Sequence, residues 1–142
     1  MSSLPPPSQS QIARAGSLTH GWKVAVIVTH LLIAGSLLAL AISSRTVGKP
    51  TWWLGSQDNP ALVLFWFIPF LGPIGAIVAA ARNSTKTHFV GAAATLLLVA
   101  TGVVDITKTP GIAIGIILLG VCTATTTFAA IAGRYRSVTT SL

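Results

Sequence analysis

Few residues in this sequence could do chemistry. His30 lies inside an apolar stretch, Cys122 is the lone cysteine, and Asp58 and Asp105 are the lone acidic residues. A histidine within an apolar span can relay a proton, or donate or accept a hydrogen bond according to its tautomer. One cysteine cannot form an internal disulfide, a Cys-rich zinc site or an iron–sulfur cluster. Asp58 and Asp105 fall in separate loops, so they offer no carboxylate pair for glycoside hydrolysis or two-metal catalysis. A haem held by two histidines needs a second imidazole at the depth of His30. His88 sits at the edge of an apolar block and His20 in the N-terminal tail, and neither position matches. No glycine-rich phosphate cradle and no nucleophile–base–acid set stands out. The expectation is a protein that is not an enzyme and holds no cofactor and no metal.

The polar groups do share a depth. His30 is seven residues in from Lys23, Thr95 seven in from His88, and Thr126 seven in from Gly133. Pro73 lies nine residues from Arg82. At about 1.5 Å per helical residue, all four fall roughly 10–14 Å from one edge of the apolar blocks. His30, Pro73, Thr95 and Thr126 therefore form a candidate polar layer. It can carry protons or a polar ligand, or it can act as interhelical glue, a routine use of threonine in membrane helices. Threonines in a span also bond their own preceding carbonyls, which applies to Thr123, Thr125, Thr126 and Thr127. Cys122 beside them reads as an inert buried thiol.

The elements that must position these groups follow from composition. The chain has 142 residues, 52% of them apolar and only 8% charged. Soluble domains carry roughly 25% charged residues, so this chain cannot build a water-facing surface. A spanning helix needs about 20 apolar residues. Four blocks qualify or nearly do: 24–43, 61–81, 89–106 and 111–133, the third being the shortest before Asp105 interrupts it. The expected fold is all-α, an integral membrane four-helix bundle occupying residues 22–136. It is flanked by a disordered tail over 1–21, rich in Pro and Ser, and a short tail over 137–142. The 61–81 block carries Pro69 and Pro73, which remove the donors for the carbonyls of Phe65 and Pro69. It reads as a kinked helix, or as a broken one lining a path.

The short connections after the second and third blocks make their flanking helices antiparallel neighbours. The longer 44–60 connection carries Trp52 and Trp53, which with Trp22 are expected as interfacial anchors in the headgroup zone. Asp105 and Lys108 are placed to pair on the surface. Arg14, Lys23, Arg82, Lys86, Arg134 and Arg136 fall on one side, against Arg45, Lys49 and Lys108 on the other. That asymmetry puts both termini in the cytoplasm of a cell whose plasma membrane the protein crosses. A signal peptide cleaved near Ala39-Leu40-Ala41 is the competing reading of the first block. The long tail before it and its own length favour an uncleaved anchor.

The net charge of +7 flanks the apolar blocks instead of forming a stripe, which suits anionic lipid and argues against nucleic acid. Small-x-x-x-small pairs such as Gly72/Ala76, Gly75/Ala79, Gly111/Gly115 and Ala129/Gly133 favour close helix contact. The function expected is that of a small multi-pass structural or accessory protein, packed against itself as a homo-oligomer or against a larger membrane complex. The alternative is a small oligomeric transporter or channel with a path near His30 and the Pro69/Pro73 break.

Overall fold

A computed structural model describes residues 17–134; of the tail expected over 1–21, residues 1–16 lie outside the described residues, as does the tail expected over 137–142, while α1 already begins at His20. The described residues are all-helical, with no strands. Five helices follow one another: α1 (His20–Thr46), α2 (Val63–Trp66), α3 (Ile68–Ala81), α4 (Thr87–Asp105) and α5 (Pro110–Ala132). Three of them, α1, α4 and α5, are long and apolar enough to cross a membrane. At about 1.5 Å per residue, the 27 residues of α1 run about 40 Å, beyond a hydrocarbon core of about 30 Å. The 14 residues of α3 cover only about 21 Å.

The expected second span is divided, and proline chemistry explains where. Pro69 has no N–H to return to the Phe65 carbonyl, and its ring crowds that turn. The helix lapses at Phe67, whose carbonyl then accepts the N–H groups of Phe70 and Leu71 at 3.0 and 3.2 Å and starts α3. Pro69 sits in the first turn of the new helix, where a missing donor costs nothing. Pro73 is carried inside α3 without a second interruption. At the other end of α3, Asn83 takes the left-handed conformation with φ 51°. The N–H groups of Asn83 and Ser84 donate back to the carbonyls of Ala80 and Ala79, closing the helix and turning the chain toward α4.

The helices close into a ring of contacts in which α1 packs on α3 and α5, and α4 packs on the same two. Their backbones do not meet across either diagonal, α1 to α4 or α3 to α5. The beginning and end of the described chain meet: the Thr19 N–H donates to the Gly133 carbonyl at 3.1 Å. We call that the terminal end, and the opposite one, which carries residues 47–62 and 106–109, the loop end.

Burial is inverted relative to a water-soluble domain. Leu32, Leu96 and Phe128 are 67%, 71% and 74% exposed, while Ser44, Asp105 and Thr123 are 0% exposed. A large exposed apolar surface around a few enclosed polar groups is what a lipid solvent selects. This is a membrane protein.

Small residues allow the helices to approach. A Cβ added at Gly72 would come within 2.9 Å of Ala94 on α4, and one at Gly102 within 2.8 Å of the Ala113 carbonyl on α5. Gly111 has open space around it, and Gly115 faces Leu40 of α1. Gly72→Ala is therefore expected to cost about 1–3 kcal/mol through overpacking against a backbone that cannot yield. Gly111→Ala should stay within about 0.5 kcal/mol of the parent. Reversible unfolding in mixed lipid–detergent micelles measures both.

Candidate functional site

Polar groups collect at the two ends of the interior, and an apolar layer separates them. Ile33 and Leu37 from α1, Leu98 from α4 and Ile116 from α5 form that layer, all of them buried. Residues from both α1 and α4 fill the space that the two backbones leave across the diagonal.

At the terminal end a cavity of about 10 Å³ lies among the helices. His30 of α1, Thr87 and His88 of α4, Thr126 and Thr127 of α5, and Arg134 beyond α5 line it. Ala76 contributes the wall from α3. His30 is 1% exposed. Its Nδ1–H donates to the Val26 carbonyl one turn back, at 2.8 Å, which fixes the ring's tautomer and leaves Nε2 as an acceptor. Nε2 has no protein partner, and neither do the buried Nδ1 of His88 and Nε of Arg134.

Of the four residues expected to share a layer, the cavity joins His30 and Thr126. Thr95 stands one turn beyond the cavity-lining Gly91 and donates to its carbonyl at 3.0 Å. Pro73 is buried within α3 and does not line the cavity. The threonine hydroxyls turn to their own helices: Thr126 to the Cys122 carbonyl at 2.9 Å, Thr127 to Thr123 at 2.8 Å and Thr123 to Leu119 at 3.0 Å. Cys122 is exposed on the outer face of α5, not buried as expected. His88 was passed over because it opens α4 at the edge of the apolar block. Arg134 was read only for its charge. What brings both to His30 is the way the helix ends converge, which no spacing in the sequence expresses.

At the loop end the 44–60 connection folds inward. Trp53 is 1% exposed and packs with Ala41 and Leu54, its ring edge-on to Phe70 at 6.2 Å. Trp52 is half-buried, donates its indole N–H to the Thr101 carbonyl at 3.4 Å and meets Phe65 edge-on. Trp22 at the terminal end likewise leans on the buried cluster of Leu18, Val26, Ala80 and Ala130. The tryptophans expected in the headgroup zone thus spend much of their surface on the protein itself.

Asp105 holds this loop. It is enclosed, not surface-exposed as the sequence suggested, and its Oδ1 accepts the Trp52 backbone N–H at 3.0 Å. Its main-chain carbonyl takes the N–H groups of Lys108 and Thr109 and so shapes the turn into α5. From α1, Arg45 reaches the Leu54 carbonyl at 3.3 Å and lies 4.8 Å over the Trp66 ring, a cation–π contact that ties α2 to the same end.

No family model, curated protein or solved structure matches this chain. Among the described residues no group of three or more His, Cys, Asp or Glu side chains is placed to hold a metal ion.

Asp105→Ala strands a buried backbone donor and should cost about 1–3 kcal/mol. Tryptophan emission should shift to the red as Trp52 and Trp53 gain solvent. Asp105→Asn keeps an acceptor and should recover most of the parent spectrum.

Proposed function

We propose that this is a four-span protein of the plasma membrane with both termini in the cytoplasm. In this reading it serves a structural or accessory role, packed against copies of itself or a larger membrane complex. The Thr19–Gly133 hydrogen bond supports an even number of crossings between these two residues, since residues that touch belong on one side. The α2–α3 unit then supplies the short fourth crossing. Among the described residues, Lys23, Arg82, Lys86 and Arg134 at the terminal end against Arg45, Lys49 and Lys108 toward the loop end support the orientation.

One observation carries the structural role: the Ile33/Leu37/Leu98/Ile116 layer fills the interior between the two polar ends. A solute path within one chain would need polar groups or water at that level. The surface supports assembly. Gly35 and Ala39 lie four apart on the exposed face of α1, and nothing would meet a Cβ added at Gly35. Small residues at that spacing let a second helix come close.

The interruption at Phe67 favours a second reading, a small oligomeric transporter or channel with a path near His30 and the Pro69/Pro73 break. For that reading His30→Ala in reconstituted vesicles must change the flux of a solute.

Native mass spectrometry from lipid nanodiscs is expected to show an oligomer or a co-extracted partner. Gly35→Leu with Ala39→Leu is expected to shift the distribution toward the isolated chain. A parent protein found only as a monomer would remove the structural reading. In a Cys122→Ala background, Ser56→Cys should react with an impermeant maleimide from outside the cell and Ser84→Cys only after permeabilisation. Labelling of both from one side would contradict four crossings.

A further inference from the structure

The three unpartnered nitrogens at the terminal end belong to residues around one cavity, and their chemistry is complementary. His30 Nε2 is an acceptor because Nδ1–H is already committed to the Val26 carbonyl. Arg134 Nε–H is a donor, and His88 Nδ1 accepts in the tautomer that protonates its other nitrogen. A single molecule that accepts once and donates twice would satisfy all three. The cavity of about 10 Å³ is about the smallest that holds a water, and buried waters typically make about three hydrogen bonds.

We propose that this cavity is a one-water binding site that latches the paired segments 18–19 and 133–134 to the histidine pair, and that proton uptake by the histidines releases the latch. The water accepts from Arg134 and donates to His30 and His88, so α1, α4 and the segment after α5 share one bridge. That bridge sits beside the Thr19–Gly133 hydrogen bond and the Leu18–Arg134 contact. When a proton arrives from the aqueous phase, a new N–H bond forms at His30 Nε2 or His88 Nδ1 and turns an acceptor into a donor. The resulting imidazolium then shares a small, poorly screened space with the Arg134 guanidinium. Like charges in such a space repel far more strongly than in water. Arg134 has the means to leave, because it lies beyond the C-cap of α5 and outside that helix's hydrogen-bond ladder. Its departure takes the Gly133 carbonyl from Thr19.

The charged and titratable groups around the pair are few. His88 comes from α4 and Arg134 from beyond α5, while α3 presents Ala76. On α1, the exposed His20 adjoins Thr19, and Lys23 donates its backbone N–H to the Thr19 carbonyl. His20 is the other histidine near the latch, and it needs its own control.

The test is amide hydrogen exchange of the full chain in phosphatidylcholine nanodiscs at pH 8 and pH 5, corrected for intrinsic rates. Protection of the Thr19 amide should fall about tenfold at pH 5, the scale of one lost hydrogen bond, while the Lys108 amide at the loop end stays unchanged. The fall should persist in His20→Gln and vanish in the His30→Gln/His88→Gln double variant. Equal Thr19 protection at both pH values in the parent overturns the proposal, as does a fall that survives in the double variant. Nitrogen-15 spectra of the unmodified protein at pH 8 provide a readout that needs no substitution. His30 Nε2 should appear as an unprotonated acceptor with cross-relaxation to water, and a ring without water contact overturns the site. Neither measurement depends on the protein's partner or oligomeric state, so the latch and the assembly reading can fail separately.

Discussion

Hydrocarbon offers no hydrogen bonds, and most of this structure follows from that constraint. Each polar group placed among these helices must find a partner within the protein or carry the cost of having none. The helices meet the demand for nearly all of the backbone. The side chains meet it locally: Thr95, Thr101, Thr123, Thr125, Thr126 and Thr127 all donate to the carbonyl four residues back. Ser44 does the same over three residues. These hydroxyls bind no neighbouring helix, so they free the interfaces to be set by shape. Gly72 against Ala94 and Gly102 against Ala113 are where shape matters most, because the partners there are backbone and cannot move aside.

The same constraint explains why the unsatisfied atoms are not scattered. Unpartnered buried nitrogens and oxygens occur at the terminal end, on His30, His88 and Arg134, and toward the loop end, on Thr51, Trp53, Trp66 and Asp105. None belongs to the level of Ile33, Leu37, Leu98 and Ile116. The ends are where water is within reach, and the middle is where a stranded polar atom would be most costly. Asp105 shows the principle at its sharpest. An enclosed carboxylate is tolerated because it takes a backbone N–H from a loop 53 residues away, and through that bond it decides where the loop lies.

The sequence made the helices legible because a twenty-residue apolar run has few other fates. It also made legible that Pro69 would disturb the second of them, although the interruption falls at Phe67, two residues earlier, where the turn ahead of the proline is crowded. Depth arithmetic brought His30 and Thr126 to one place. It missed His88 because it counted residues along separate axes and treated the first turn of α4 as membrane edge. A first-turn side chain can still reach inward when helix ends converge. Asp105 was misjudged for a different reason. Its proximity to Lys108 in sequence suggested a surface pair, and nothing in the local pattern announces a partner at Trp52. The paired tryptophans suggested headgroups by composition, while packing against Phe65 and Phe70 took them inward.

The placement of α1 ties these features together. Its inner face supplies His30 to the cavity and Ile33 and Leu37 to the apolar layer, and Ser44 and Arg45 to the loop end. Its outer face carries the exposed Gly35 and Ala39, with open space beside Gly35. A continuous helix of 27 residues joins the two ends through a middle filled by buried apolar side chains. Solvent therefore cannot relay a change from the cavity to the loop. The helices themselves connect them, and α4 does so alongside α1, from His88 at the cavity to Asp105 under the loop. The polar ends are thus held apart by the apolar layer and held together by the helices that cross it, which is why the hydrogen bonds of each end are made within that end.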